Sequence, residues 1–97
     1  MIGLTARAQR QVRELREHYE DLERPEATRG LIAALKVASD RIEKSPAAGL
    51  AAPRPYPHLT RPDRLWIKVG RYWIAYEPTN PVIVGVFYET ANISGRL

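Results

Sequence analysis

A chain of 97 residues has room for one domain and one modest core, because a chain of this length buries only about 60–65% of its unfolded surface. Hydrophobic residues at 44% and charged residues at 27% describe a globular protein rather than a disordered one. The absence of cysteine excludes disulfides, thiolate metal sites and cysteine nucleophiles, and the formal charge of +4 points to anionic partners.

The first predicted element is a helix over residues 5–22. Leu4, Ala8, Val12, Leu15, Tyr19 and Leu22 recur at spacings of three and four and line one face of a 3.6-residue repeat. Thr5 is placed to cap the first turn. Arg10, Arg13, Glu14, Glu17 and Glu20 take the opposite face, and His18 is read as a surface residue among them. Pro25 is tolerated at the start of a second helix, where its missing amide is not needed, and Glu26 stands favourably near the positive end of the dipole. Ala27, Leu31, Leu35, Ala38 and Ile42 carry that helix to Lys44 or Ser45, and Pro46 stops it. Two helices joined by a few residues form an antiparallel hairpin, spanning about 5–45. Gly30 weakens the second helix, and close packing would be one reason for it.

Residues 46–62 hold a run of prolines, including Pro53-Arg54-Pro55-Tyr56-Pro57, which can neither continue a helix nor pair inside a sheet. An extended crossover is expected there. The charge excess begins in this region, because residues 54–73 hold Arg54, Arg61, Arg64, Lys68 and Arg71 against Asp63 alone. This pattern suits a local anion-binding surface.

From residue 64 the period changes. Leu65-Trp66-Ile67-Lys68-Val69 alternates, Gly70-Arg71 turns, and Tyr72-Trp73-Ile74-Ala75-Tyr76-Glu77 follows as a second strand. After the break at Pro78-Thr79-Asn80-Pro81, Val82–Tyr88 is apolar on both faces and belongs in the middle of a sheet or beneath a cover. These strands make a meander over 64–90, with Ile2–Leu4 available as a short edge. The predicted fold is α+β, a helical hairpin on one face of a three- to four-stranded, mainly antiparallel sheet, as a single domain over 1–97. Trp66 and Trp73 share the face opposite Leu65, Ile67 and Val69. If the hairpin covers the latter, both indoles stand on an open face and form an interface hot spot flanked by Lys68 and Arg71; the alternative is that the faces are reversed, or that the crossover folds over the indoles as a small second core.

The element order resembles the RelE/ParE superfamily of bacterial toxins from toxin–antitoxin pairs. Leu65-Trp66-Ile67-Lys68-Val69-Gly70-Arg71-Tyr72-Trp73-Ile74-Ala75-Tyr76 is similar to that family's L-R-x-G-x-Y-R-I-x-Y hairpin. Phe87-Tyr88-Glu89-Thr90-Ala91-Asn92-Ile93 is similar to the ParE-type ending L-H-x-x-R-D-I. The resemblance implies a toxin neutralised by a cognate antitoxin. It offers two activities: inhibition of DNA gyrase by protein binding, as in ParE-like members, or cleavage of messenger RNA on the ribosome, as in RelE-like members. Cleavage needs a base, an acid and cations on the phosphorane. Trp66 and Trp73 stand where RelE-like toxins carry basic residues, and Arg96 is the only cation after Arg71. The gyrase reading is therefore preferred, with no catalysis by the chain itself. On the alternative reading Lys68, Arg71, Arg64 and Tyr88 are the candidate catalytic residues. For antitoxin or target binding the candidates are Trp66, Lys68, Arg71, Trp73 and Arg64. A plain basic nucleic-acid-binding module is a third class, but the helix surfaces balance their charges.

With two histidines, His18 and His58, and no HxH or HxxxH spacing, no metal or other cofactor is expected. No apolar run approaches the roughly 20 residues that cross a bilayer, and Met1-Ile2-Gly3-Leu4 leads into a charged segment rather than a secretory signal. A cytoplasmic protein without a membrane partner is the expectation.

Overall fold

Thr5 starts the first helix as its sequence requires: its hydroxyl accepts the Ala8 amide at 3.2 Å. In a computed structural model that describes residues 1–90, the elements are β1 (Gly3–Leu4), α1 (Ala6–Asp21), α2 (Pro25–Lys44), β2 (Leu65–Val69), β3 (Tyr72–Glu77) and β4 (Val82–Tyr88). Two short 3-10 turns, Pro46–Ala48 and Pro57–Leu59, lie in the crossover. Ala91, Asn92 and Ile93 of the ParE-like ending, together with Arg96, lie outside the described residues.

The sheet runs β1-β4-β3-β2, with β1 parallel to β4 and the other pairs antiparallel. Val82–Tyr88 is thus an inner strand, as its two apolar faces require. The α1–α2 hairpin covers one face. Leu31, Leu35, Ala38 and Ile42 of α2, with Ala8 of α1, pack on Ile67, Ile74, Ile83 and Val86. β1 reaches only Ile83, so among the described residues the rest of that β4 edge has no neighbouring strand. Buried Gln11 supplies the missing acceptor there, its Oε1 taking the Val86 amide at 2.9 Å, which avoids an unpartnered buried donor.

The join between the helices is a Schellman motif: Arg24 N–H donates to Tyr19 O at 2.9 Å and Glu23 N–H to Glu20 O at 3.0 Å. Its C′ residue, Glu23, adopts φ 53°, a left-handed conformation that glycine takes without steric penalty. Glu23→Gly is expected to raise stability by about 0.5–1 kcal/mol once the entropy of an added glycine is deducted. Thermal or urea unfolding of the variant checks this. At Gly30 an added Cβ meets nothing within 4 Å, so helix packing does not require glycine there.

The opposite face of the sheet corrects the expectation of exposed indoles. Trp66 is 0% and Trp73 3% exposed. They form a second core with Ala75, Phe87 and Leu59, closed by Leu50, Tyr56 and Val84. The crossover folds back over them, because two open indoles would leave 150–250 Å² of mostly apolar surface each in water. Leu50 anchors the cover at the β2 edge, exchanging two backbone hydrogen bonds of 2.7 Å with Trp66. Tyr76 fixes its start: the phenol donates to Pro46 O at 2.7 Å and accepts the Gly49 amide at 3.1 Å. A β-bulge in β4 opposite Ala75/Tyr76 brings Gly85 to the cover side. A Cβ on Gly85 would lie 2.7 Å from the Phe87 ring, so glycine is what lets that ring lie down beside Trp66, centroids 5.9 Å apart.

Candidate functional site

The polar candidates gather at the end of the sheet where the β2–β3 turn meets the end of β4. Cross-strand register puts Lys68 opposite Trp73 and Tyr72 opposite Tyr88, and the next residue, Glu89, closes onto the turn through its amide to Arg71 O at 2.8 Å. The Glu89 carboxylate then sits between two cations, 3.1 Å from Lys68 Nζ and 3.7 Å from Arg71. Arg71 also donates to the Tyr88 hydroxyl at 3.3 Å, and Lys68 Nζ lies 5.8 Å from the Trp73 ring centroid. Lys68, Arg71 and Tyr88 are thus brought together. Glu89, which organises them, was missed by the sequence reading, although its place one residue past an inner strand was a signal.

Arg64 does not join this cluster and departs from the expected open surface. Its side chain is only 14% exposed, with Nε buried 3.5 Å from Asp63 Oδ1. The turn before β2 folds this arginine onto the protein beside its own carboxylate neighbour. Arg54 and Arg61 are exposed, as their proline-rich surroundings suggest.

Beside the cluster, between the helix hairpin's closed end and the sheet, lies a groove of about 710 Å³. Its wall carries three phenols, because Tyr19 on α1 and Tyr72 and Tyr88 on adjacent strands converge there. The Tyr19 and Tyr72 hydroxyls are hydrogen-bonded at 2.5 Å, and the rings of Tyr72 and Tyr88 meet edge to face at 5.8 Å. His18, read from sequence as a plain surface residue, also lines this groove. Leu22, expected in the helix face that packs inward, is 53% exposed at its mouth. The periodicity placed Leu22 correctly on its helix, but α1 ends one residue earlier and the sheet does not extend beneath it.

Burial, and then the bond to Tyr19, push the Tyr72 phenol well above the ordinary tyrosine range. Burial raises Tyr76 likewise, against the opposing pull of the Gly49 amide. Both phenols remain protonated in the folded chain where an unfolded tyrosine, with a pKa of about 10, ionises. Above that pH the unfolded chain binds fewer protons than the folded one, so stability is complete below about pH 10 and falls as pH rises further. Melting temperatures between pH 8 and pH 11 check this, and Tyr72→Phe should flatten the alkaline fall.

Among the described residues no cluster of three His, Asp or Glu is placed to hold a metal ion, and no helix is long and apolar enough to cross a membrane. What the fold presents is an α+β domain whose sheet carries the helical hairpin on one face and the crossover on the other. Residues 2–89 match the model of the ParE toxin family of type II toxin–antitoxin systems, parDE, and the chain belongs to that family. Membership implies an antitoxin partner. No curated protein matches the chain.

Proposed function

We propose that the chain is a toxin that inhibits DNA gyrase by protein contact, in the cytoplasm, and is neutralised by its antitoxin. The observation that supports contact rather than cleavage is the placement of Glu89. Its carboxylate pairs with both Lys68 and Arg71, so these two cations already face an anion of the chain's own. A phosphorane gathers negative charge in its transition state and needs cations preorganised for it. Arg64 is turned onto Asp63, and the indoles at the two positions where RelE-like toxins are basic are packed beneath the crossover.

One observation favours the second reading, a ribosome-dependent ribonuclease. Glu89, Tyr88, Lys68 and Arg71 form one cluster, and a carboxylate beside a phenol and two cations contains the elements of acid–base cleavage. Production of the chain in cells without its antitoxin separates the two. Broken DNA and arrested supercoiling, with intact messages, are expected. Cuts at fixed codon positions in translated messages, with supercoiling unaffected, would replace this reading by the second.

A further inference from the structure

The helix surfaces balance their charges in total but not in place. The N-terminal half of α1 and the C-terminal half of α2 carry Arg7, Arg10, Arg13, Lys36, Arg41 and Lys44, all exposed, against Asp40 and Glu43 alone. These halves lie together at the open end of the hairpin. Ile2, just before α1, donates its amide to Ser39 Oγ of α2 at 2.7 Å, and the N-terminal amine stands 3.9 Å from Glu43. From Glu14 to Ala34, through the closed end, the sign reverses, and six carboxylates stand against three arginines. Part of this separation follows from helix physics and part opposes it. α2 carries Glu26 in its first turn and Arg41 and Lys44 in its last, the arrangement that the helix dipole favours. α1 carries Arg7 and no carboxylate in its first turn, and Glu20 and Asp21 in its last, which the dipole disfavours at both ends. Helix stability therefore does not account for the arginines at the start of α1, whereas an anionic partner would.

The side chains at this end narrow the partner's chemistry. Neither half carries an aromatic ring on which an unpaired base could stack. The amides that could read base edges are engaged: Gln9 Nε2 donates to Leu4 O at 3.1 Å, and buried Gln11 accepts the Val86 amide. A surface of cations remains, which suits the regularly spaced phosphates of a duplex. We propose that the open end of the hairpin holds the phosphate backbone of double-stranded DNA without regard to sequence, with Arg10 and Arg13 among its contacts and the acidic closed end pointing away. The proposal deepens the gyrase reading, because it gives the chain a hold on the DNA that the enzyme works on. The other basic stretch, residues 54–73, is less suited to this. There Arg64 lies against Asp63, and Lys68 and Arg71 share Glu89. Arg54 and Arg61 are exposed on the crossover, across the sheet from the hairpin.

The test follows the binding of a short labelled DNA duplex of random sequence to the purified full chain by fluorescence anisotropy, from low to physiological salt, with melting temperatures alongside. The wild type is expected to bind, with an affinity that falls steeply as salt rises. Arg10→Gln/Arg13→Gln should keep its melting temperature, because both side chains are exposed. It should bind about tenfold more weakly at low salt and lower the salt slope by about two. Arg54→Gln/Arg61→Gln removes the same charge from the opposite face and should change affinity far less. Equal losses in the two variants would mean that net charge alone attracts the duplex, and would overturn the proposal. So would wild-type affinity in Arg10→Gln/Arg13→Gln, or a tighter hold on a folded RNA than on the duplex. Loss of antitoxin affinity in that variant, with DNA binding unchanged, would give the open end to an acidic protein segment and overturn it too. Gyrase is absent from the binding assay, so the two readings fail separately. A chain that binds DNA through this end but leaves supercoiling untouched upholds this proposal against the gyrase reading, and one that stops supercoiling without binding DNA does the reverse.

Discussion

Trp66→Ala is expected to lower folding stability by about 3–5 kcal/mol, the usual penalty for truncating a fully buried large aromatic. The indole has no exposed surface. It packs on Phe87, and its own backbone carries the Leu50 bridge that anchors the cover. Removing it leaves a cavity under the crossover that Leu50, Tyr56 and Leu59 cannot refill without breaking that bridge. Trp66→Phe should be far milder. Among the described residues Trp66 Nε1 is buried with no hydrogen-bond partner, so exchanging the indole for a benzene ring removes an unsatisfied donor while keeping most of the packing. Urea unfolding of the two variants checks the order. If Trp66 were a contact residue on an open face, Trp66→Ala would leave stability nearly unchanged and weaken partner binding instead.

Gly49→Ala should cost about 2–3 kcal/mol, more than a methyl group normally would. The backbone there is ordinary, with φ −69°, so conformational strain is not the cause. The added Cβ would stand 2.8 Å from Leu65 Cβ and press into the Tyr76 hydroxyl. Leu65 Cβ is fixed to its strand and cannot swing aside, and the phenol is held by Pro46 O. Relief therefore means moving the crossover and losing the hydrogen bonds that pin it. In a Tyr76→Phe background the same substitution should cost less, because the hydroxyl, the nearest of the three atoms the added Cβ meets, is gone. A double-mutant cycle by urea unfolding measures that difference, and strict additivity would contradict the shared-obstacle account.

Most of the fold was legible because it is periodic. The helix from Ala6, the proline start at Pro25, the stop before Pro46 and all three strands of the meander follow from spacing, caps and turn residues, and the structure keeps their bounds within a residue or two. The second core was legible only as the alternative to an open face. Alternation placed Trp66 and Trp73 correctly on the face away from the helices, but alternation gives the face and not what covers it. Leu50, Tyr56 and Leu59 form that cover without a repeat, spaced among prolines in a segment with no regular element beyond short turns. The candidate site was legible residue by residue only for Lys68, Arg71 and Tyr88. Glu89 pairs across the end of the sheet, and His18 and Gly30 acquire their surroundings only when the hairpin's closed end meets the β2–β3 turn.

The account treats the helical hairpin and the tryptophan core as the scaffold of a molecule that acts through protein contact, with Lys68 and Arg71 both paired to Glu89. The direct measurement is a supercoiling assay with purified gyrase, relaxed plasmid and the purified chain, run beside a translating-ribosome extract that carries a labelled message. The account predicts that the chain stops supercoiling and leaves the message whole, and that antitoxin added beforehand restores supercoiling. Undisturbed supercoiling together with cleavage of the message would contradict it.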